Sequence, residues 1–168
     1  MTSFSFDYLS ITGQTLSTQE YGVIATGGGI SASGNAVYVT GFGAMLVNSG
    51  TIFGSNHGIY AINSNLSIQN SGTISGPFVA IYLAINTAAT NAFINNSGTI
   101  AGMTRGADGI MIESGGNEII NSGNIIGNAD DAIQIYSSFG LGTLANRIVN
   151  SGMLVGGVGS YALNLNDD

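Results

Sequence analysis

The chain has 168 residues, the size of one domain, with 27 Gly, 18 Asn, 21 Ile, one Pro, no Cys and no Trp; charged residues make up only 7% and the net charge is −7. Two Arg and no Lys cannot form a basic footprint for nucleic acid, the absence of Cys excludes a disulfide or cysteine–metal scaffold, and a single Pro excludes collagen. With 44% hydrophobic residues and so little charge, the chain must bury its Ile in a fold rather than stay disordered.

Residues 1–23 carry Phe4, Phe6, Tyr8, Leu9 and Ile11 and are expected to cap the N-terminal end of a repeat domain. They have neither the basic region nor the apolar core of a secretory signal. No apolar run further on is long enough to cross a bilayer before Gly, Asn or Ser breaks it, so membrane insertion is not expected.

Residues 24–168 are read as that repeat domain. Asn-Ser-Gly begins at Asn48, Asn70, Asn96, Asn121 and Asn150, with spacings of 22, 26, 25 and 29 residues. Two residues before each Asn stands Leu46, Ile68, Ile94, Ile119 or Ile148, and four residues after it Ile52, Ile74, Ile100, Ile125 or Leu154. A later stretch contains Ile59, Ile81, Ile110, Ile133 and Leu163, each succeeded two residues on by Ala61, Leu83, Ile112, Ile135 or Leu165. The pattern extends upstream: Gly28-Gly29-Ile30 precedes Gly50-Thr51-Ile52 by 22 residues.

Apolar and polar positions alternate with a strand period, and turn residues come after each short run. Repeated units of 22–29 residues with three short strands define a β-solenoid, whereas the Gly content and β-branched bias exclude helical repeats. The expected fold is all-β, a single-stranded parallel β-helix of about six coils. The Ile columns should fill its interior. The Asn column should form an amide ladder, with Asn and the Gly two residues later turning a left-handed corner. Extra residues near Asn86–Asn91, Tyr136–Ala145 and Met103–Ala107 mark loops that leave the coil, where a solenoid carries binding function.

The unit I-x-N-S-G-T-I-x-G, closed by small-I-x-I, resembles repeats of bacterial autotransporter adhesins and the β-solenoid repeats of acidic secreted proteins that carry RTX calcium motifs. That resemblance implies a right-handed helix, a secreted or cell-surface location, and a non-catalytic role in adhesion, self-association or display of binding loops. The RTX calcium motif itself is absent. The chain closes on Asn166-Asp167-Asp168, where such a repeat could begin. The implied partners are the rest of a longer chain, a second copy stacked end to end, or glycans.

Candidate site residues emerge from the columns. Asp108 and Asp131 hold equivalent positions in successive coils, with Asp130 beside them. Three carboxylates at one place can do general acid–base work or hold Ca2+. No cofactor other than Ca2+ is expected. The pattern resembles that of pectin-cleaving glycoside hydrolases, which implies a polysaccharide hydrolase or lyase as the alternative function. The Gly-His-Gly and Arg-x-Lys units of that family are missing, since His57 is the one His and Arg147 is followed by Ile148-Val149. Against both readings, Asp108 and Asp131 are also consistent with outward residues at a strand start. Tyr38, Tyr60 and Tyr82 recur every 22 residues and should form an outward column, either a sugar-binding surface or a cross-strand stabiliser. Thr51, Thr73 and Thr99 form a column that ends at Asn124 and Met153, too short and narrow for an ice-binding array. His57 reads as exposed, and Glu113 and Glu118 as solvated.

Overall fold

Short apolar runs separated by Gly, Asn and Ser cannot sustain helices, and each run instead adds one strand to the coil beneath it. The computed structural model describes residues 2–63, 65–84, 91–104, 106–136 and 145–166. Among these there is no helix. The first rung is β1 (Thr2–Phe6), β2 (Leu9–Ser10) and β3 (Gln14–Leu16), and the second is β4 (Tyr21–Ile24), β5 (Gly29–Ala32) and β6 (Val37–Val39). The third is β7 (Met45–Asn48), β8 (Thr51–Gly54) and β9 (His57–Ala61), and the fourth is β10 (Ser67–Asn70), β11 (Thr73–Gly76) and β12 (Val79–Leu83). The fifth is β13 (Phe93–Asn96), β14 (Thr99–Gly102) and β15 (Asp108–Ile112). The last two are β16 (Glu118–Asn121), β17 (Asn124–Ile126) and β18 (Ile133–Tyr136), then β19 (Arg147–Asn150), β20 (Met153–Val155) and β21 (Leu163–Asn166).

Every third strand pairs in parallel, giving three seven-stranded sheets among the described residues: β1-β4-β7-β10-β13-β16-β19, β2-β5-β8-β11-β14-β17-β20 and β3-β6-β9-β12-β15-β18-β21. The architecture is the expected all-β parallel solenoid. The rung count differs from the six expected because residues 2–16 pair with β4, β5 and β6 as a rung of their own. Two of the predicted insertions, Asn86–Asn91 and Tyr136–Ala145, fall almost wholly outside the described residues.

The register makes the interior a set of columns. One runs Ile30–Ile52–Ile74–Ile100–Ile125–Leu154. Another runs Val37–Ile59–Ile81–Ile110–Ile133–Leu163. Most of these side chains are fully buried, and each buried Ile contributes on the order of 1.5–3 kcal/mol. At the first rung Phe4 and Phe6 fill the interior, their rings 5.5 Å apart. Gly22 makes that possible: a Cβ there would lie 2.3 Å from the Phe4 ring.

The Asn column runs Asn48–Asn70–Asn96–Asn121–Asn150 at the ends of the first-sheet strands. Each Nδ2 donates to the next Oδ1, at 2.8, 2.7, 2.7 and 2.7 Å. The first four Asn are at most 2% exposed. Each of these four Nδ2 groups also donates to the carbonyl two residues on, as from Asn70 to Gly72 at 3.3 Å, so the buried amides are satisfied. At the N-terminal end of the column Ile24 replaces Asn, and the Oδ1 of Asn48 instead accepts from the Gly50 N–H at 3.2 Å.

The left-handed corner is a correction. Neither the ladder Asn nor the Gly two residues later is among the positive-φ residues. The Gly is required by close approach instead. A Cβ on Gly72, Gly98, Gly123 or Gly152 would stand 2.1 Å from the carbonyl oxygen of the equivalent Gly in the preceding rung. Backbones stacked at about 4.8 Å leave no room for a methyl group at that bend.

Candidate functional site

Three aspartates gather where strands of the third sheet begin. Asp108 opens β15, and Asp131 stands two residues before β18. Just upstream, Ala107 and Asn128 form an isolated bridge, and Ala129 adopts φ 58°, a left-handed conformation that costs a non-Gly residue roughly 1–2 kcal/mol. The turn at Ala129 leads directly into Asp130 and Asp131. One carboxylate oxygen from each of Asp108, Asp130 and Asp131 lies within 4.8 Å of the others. The sequence prediction that these three converge is therefore met in space.

Their burial corrects the outward reading. Asp108 is 4% and Asp131 2% exposed, and Asp130 is half-buried. Asp108 Oδ1 accepts the Asp131 N–H at 3.0 Å, which Asp130 Oδ1 shares at 3.1 Å. Asp131 repeats the arrangement one rung on: Oδ1 accepts the Tyr161 N–H at 2.7 Å and Oδ2 accepts from Asn164 Nδ2 at 2.6 Å. Each buried Asp thus receives the backbone N–H at the equivalent position of the next rung, a bond worth about 1.5–3 kcal/mol when the acceptor is charged.

Burial pushes the Asp108 carboxyl up to about 7, helped by the nearby charges of Asp130 and Asp131 and opposed by the Asp131 N–H. Tyr136, at the end of β18, is also raised, first by burial and then by the charges of Asp108 and Asp130. Chemically, the cluster can exchange a proton near neutral pH. It also offers the hard oxygen donors that Ca2+ takes, but a cation contacting Asp131 would compete with the two N–H donors that already occupy its oxygens.

The Tyr column is where the sequence placed it. Tyr38, Tyr60 and Tyr82 are in register and half-buried on the outer face. Tyr38 and Tyr60 stack at 5.5 Å and 19°, and Tyr60 meets Tyr82 at 5.3 Å and 50°. The Tyr38 and Tyr60 rings cover one another's faces, so the column presents mainly ring edges and hydroxyls. Burial raises the Tyr82 hydroxyl, and a hydrogen bond with Glu113 raises it further.

His57 is half-buried rather than exposed. It stacks on Tyr60 at 5.5 Å and 20° and touches Tyr82 and Phe78. Burial lowers its pKa. Glu118 pairs with Arg147 across one rung instead of standing alone. The Thr column is in register through Thr51, Thr73 and Thr99 and ends at Asn124, as read.

Sequence reasoning missed a second amide pair. Asn117 is 2% exposed. Its Oδ1 accepts the Ala92 N–H at 3.0 Å and its Nδ2 donates to Asn146 Oδ1 at 2.9 Å. The signal was present: Asn117 and Asn146 each stand four residues before a ladder Asn, at Asn121 and Asn150.

Compared with protein-family models, curated proteins and solved structures, the chain gives no match.

Proposed function

We propose that this chain is a non-catalytic structural module of a secreted or cell-surface bacterial protein, of the autotransporter and RTX-associated kind, acting as a stiff rod for adhesion and display. The observation that carries this reading is the unbroken interior. Apolar columns run through the successive rungs, and five Asn form one hydrogen-bonded line. Such stacking resists bending and local opening because each rung is held by its neighbours. The low charge supports the reading, since like charges repeated at every rung would repel. At the last described rung, Leu163 and Leu165 of the interior columns are 38% and 64% exposed. They offer a surface for a further rung, either of a longer chain or of a second copy.

A polysaccharide-cleaving role is the second reading, favoured by one observation: Asp108 is held near 7 beside Asp130, as a general acid requires. The hydrogen bonds made by Asp131 weigh against it, because both its oxygens serve the next rung.

One assay separates the two. After incubation with pectate and other acidic polysaccharides, the rod reading expects no new reducing ends and no unsaturated products. Cleavage that disappears in a folded Asp108→Asn variant would overturn it. Light scattering over a concentration series tests the association directly, with growth in mass as the expected result.

A further inference from the structure

The two contacts of the Tyr column differ. Tyr38 and Tyr60 lie nearly parallel, 5.5 Å apart at 19°, whereas Tyr60 and Tyr82 stand 5.3 Å apart at 50°. Rings at that angle cannot lie face to face, so an edge of one turns toward the other. The Tyr82 hydroxyl donates to the carboxylate of Glu113, the residue that follows β15. We propose that Tyr60 and Tyr82 are an oxidative coupling site, at which a peroxidase acting with hydrogen peroxide joins the two rings by a carbon–carbon bond and staples the third rung to the fourth.

Composition and surroundings both direct oxidation to this pair. The chain has no Cys and no Trp, the side chains that otherwise compete with Tyr for one-electron oxidation. Met competes differently, by taking up oxygen. A phenol that loses an electron becomes strongly acidic, so a Tyr whose proton already has an acceptor is oxidised most readily. Tyr82 has that acceptor in Glu113. Strands β6, β9, β12 and β15 contain no Lys or Arg to oppose positive charge on the rings. His57 stacks on Tyr60 at 5.5 Å and meets Tyr82 at 5.3 Å, so it braces both rings, and burial favours its neutral form. The hydroxyls and ring edges of the half-buried column face outward, where an oxidant reaches them.

The step balances in atoms and electrons. Each phenol loses one electron and its proton, that of Tyr82 by way of Glu113. The two phenoxyl radicals join through ring carbons next to the hydroxyls, and the hydrogens displaced from those carbons restore the two O–H groups. One C–C bond forms and two C–H bonds break. The two electrons and two protons released reduce one hydrogen peroxide to two water molecules. In the joined product the ring planes are twisted and the centres closer, so Tyr60 and Tyr82 need only a small slide, while Tyr38 and Tyr60 must first unstack.

The test treats the unmodified protein, at low concentration, with peroxidase and hydrogen peroxide. Products are separated on a denaturing gel, read for biphenol fluorescence, and mapped by peptide mass spectrometry. The expected product is a single chain lighter by two hydrogens, with the Tyr60 and Tyr82 peptides joined. Coupling only between chains through the more exposed Tyr8 and Tyr161 would overturn the proposal, as would Tyr38 joined to Tyr60, or oxidation confined to the methionines. Glu113→Gln, its fold checked by circular dichroism, should lower the yield of joined Tyr60 and Tyr82 severalfold without changing the products at Tyr8 and Tyr161. An unchanged yield would refute Glu113 as the proton acceptor.

Discussion

Replacing Asn96 by Ala is the sharpest test of the amide ladder. Asn96 is fully buried. Its Oδ1 accepts from Asn70 at 2.7 Å, and its Nδ2 donates to Asn121 Oδ1 at 2.7 Å and to the carbonyls of Gly98 and Asn124 at 3.3 and 3.2 Å. Ala removes all four bonds. It strips a partner from Asn70 Nδ2, from Asn121 Oδ1 and from two carbonyls. Asn70 Nδ2 keeps its bonds to Gly72 and Thr99, so its loss is partial. Leaving a buried polar group unpaired costs about 1–3 kcal/mol, and the cavity left by the amide adds roughly 1 kcal/mol. The expected destabilisation is about 2–4 kcal/mol. Asn150→Ala should cost only about 1 kcal/mol, because Asn150 is exposed and takes one ladder bond, from Asn121. Urea unfolding monitored by circular dichroism measures both. If Asn96→Ala lost under about 1 kcal/mol, or no more than Asn150→Ala, the ladder would be ornament on an Ile core.

The same geometry sets other outcomes. Gly98→Ala should destabilise by at least about 3 kcal/mol, since its Cβ would stand 2.1 Å from the Gly72 carbonyl oxygen, whereas Gly34→Ala, which meets nothing within 4 Å, should be neutral or slightly stabilising in thermal melts. Asp131→Ala removes the acceptor of Tyr161 N–H and of Asn164; hydrogen exchange should quicken at residues 160–166 well before it does in the first rungs, and a uniform response would contradict the hold of Asp131 on the seventh rung. Tyr60→Leu keeps apolar area but loses both ring contacts of the Tyr stack, so it should cost about 1 kcal/mol; retention on a glycan array that drops in the same variant would favour a sugar-binding surface over simple stabilisation. Glu118→Ala breaks only an exposed ion pair and should change stability by less than about 1 kcal/mol.

The columns were legible in the sequence because a solenoid turns linear repetition into contact. Residues 22–29 apart become neighbours about 4.8 Å apart. Five Asn-Ser-Gly units at such spacings therefore determined the parallel sheets, the Ile interior, the Asn ladder and the convergence of Asp108 with Asp131. The first rung was not read as a rung because its interior is filled by Phe4, Phe6 and Leu16 and does not repeat the Asn-Ser-Gly signature. What only the tertiary structure decided is what each column faces. A period of two says that a residue is on one side or the other of a strand, but burial at a strand start depends on the chain packed around it. Hence Asp108 and Asp131 are buried, against one of the sequence readings, which had them exposed at a strand start, and His57, read as exposed, is half-covered by Tyr60, Tyr82 and Phe78. The same holds for the Gly of Asn-Ser-Gly: its composition signalled a bend, and only the carbonyl 2.1 Å from its missing Cβ showed that space, not a left-handed backbone, is the reason for it.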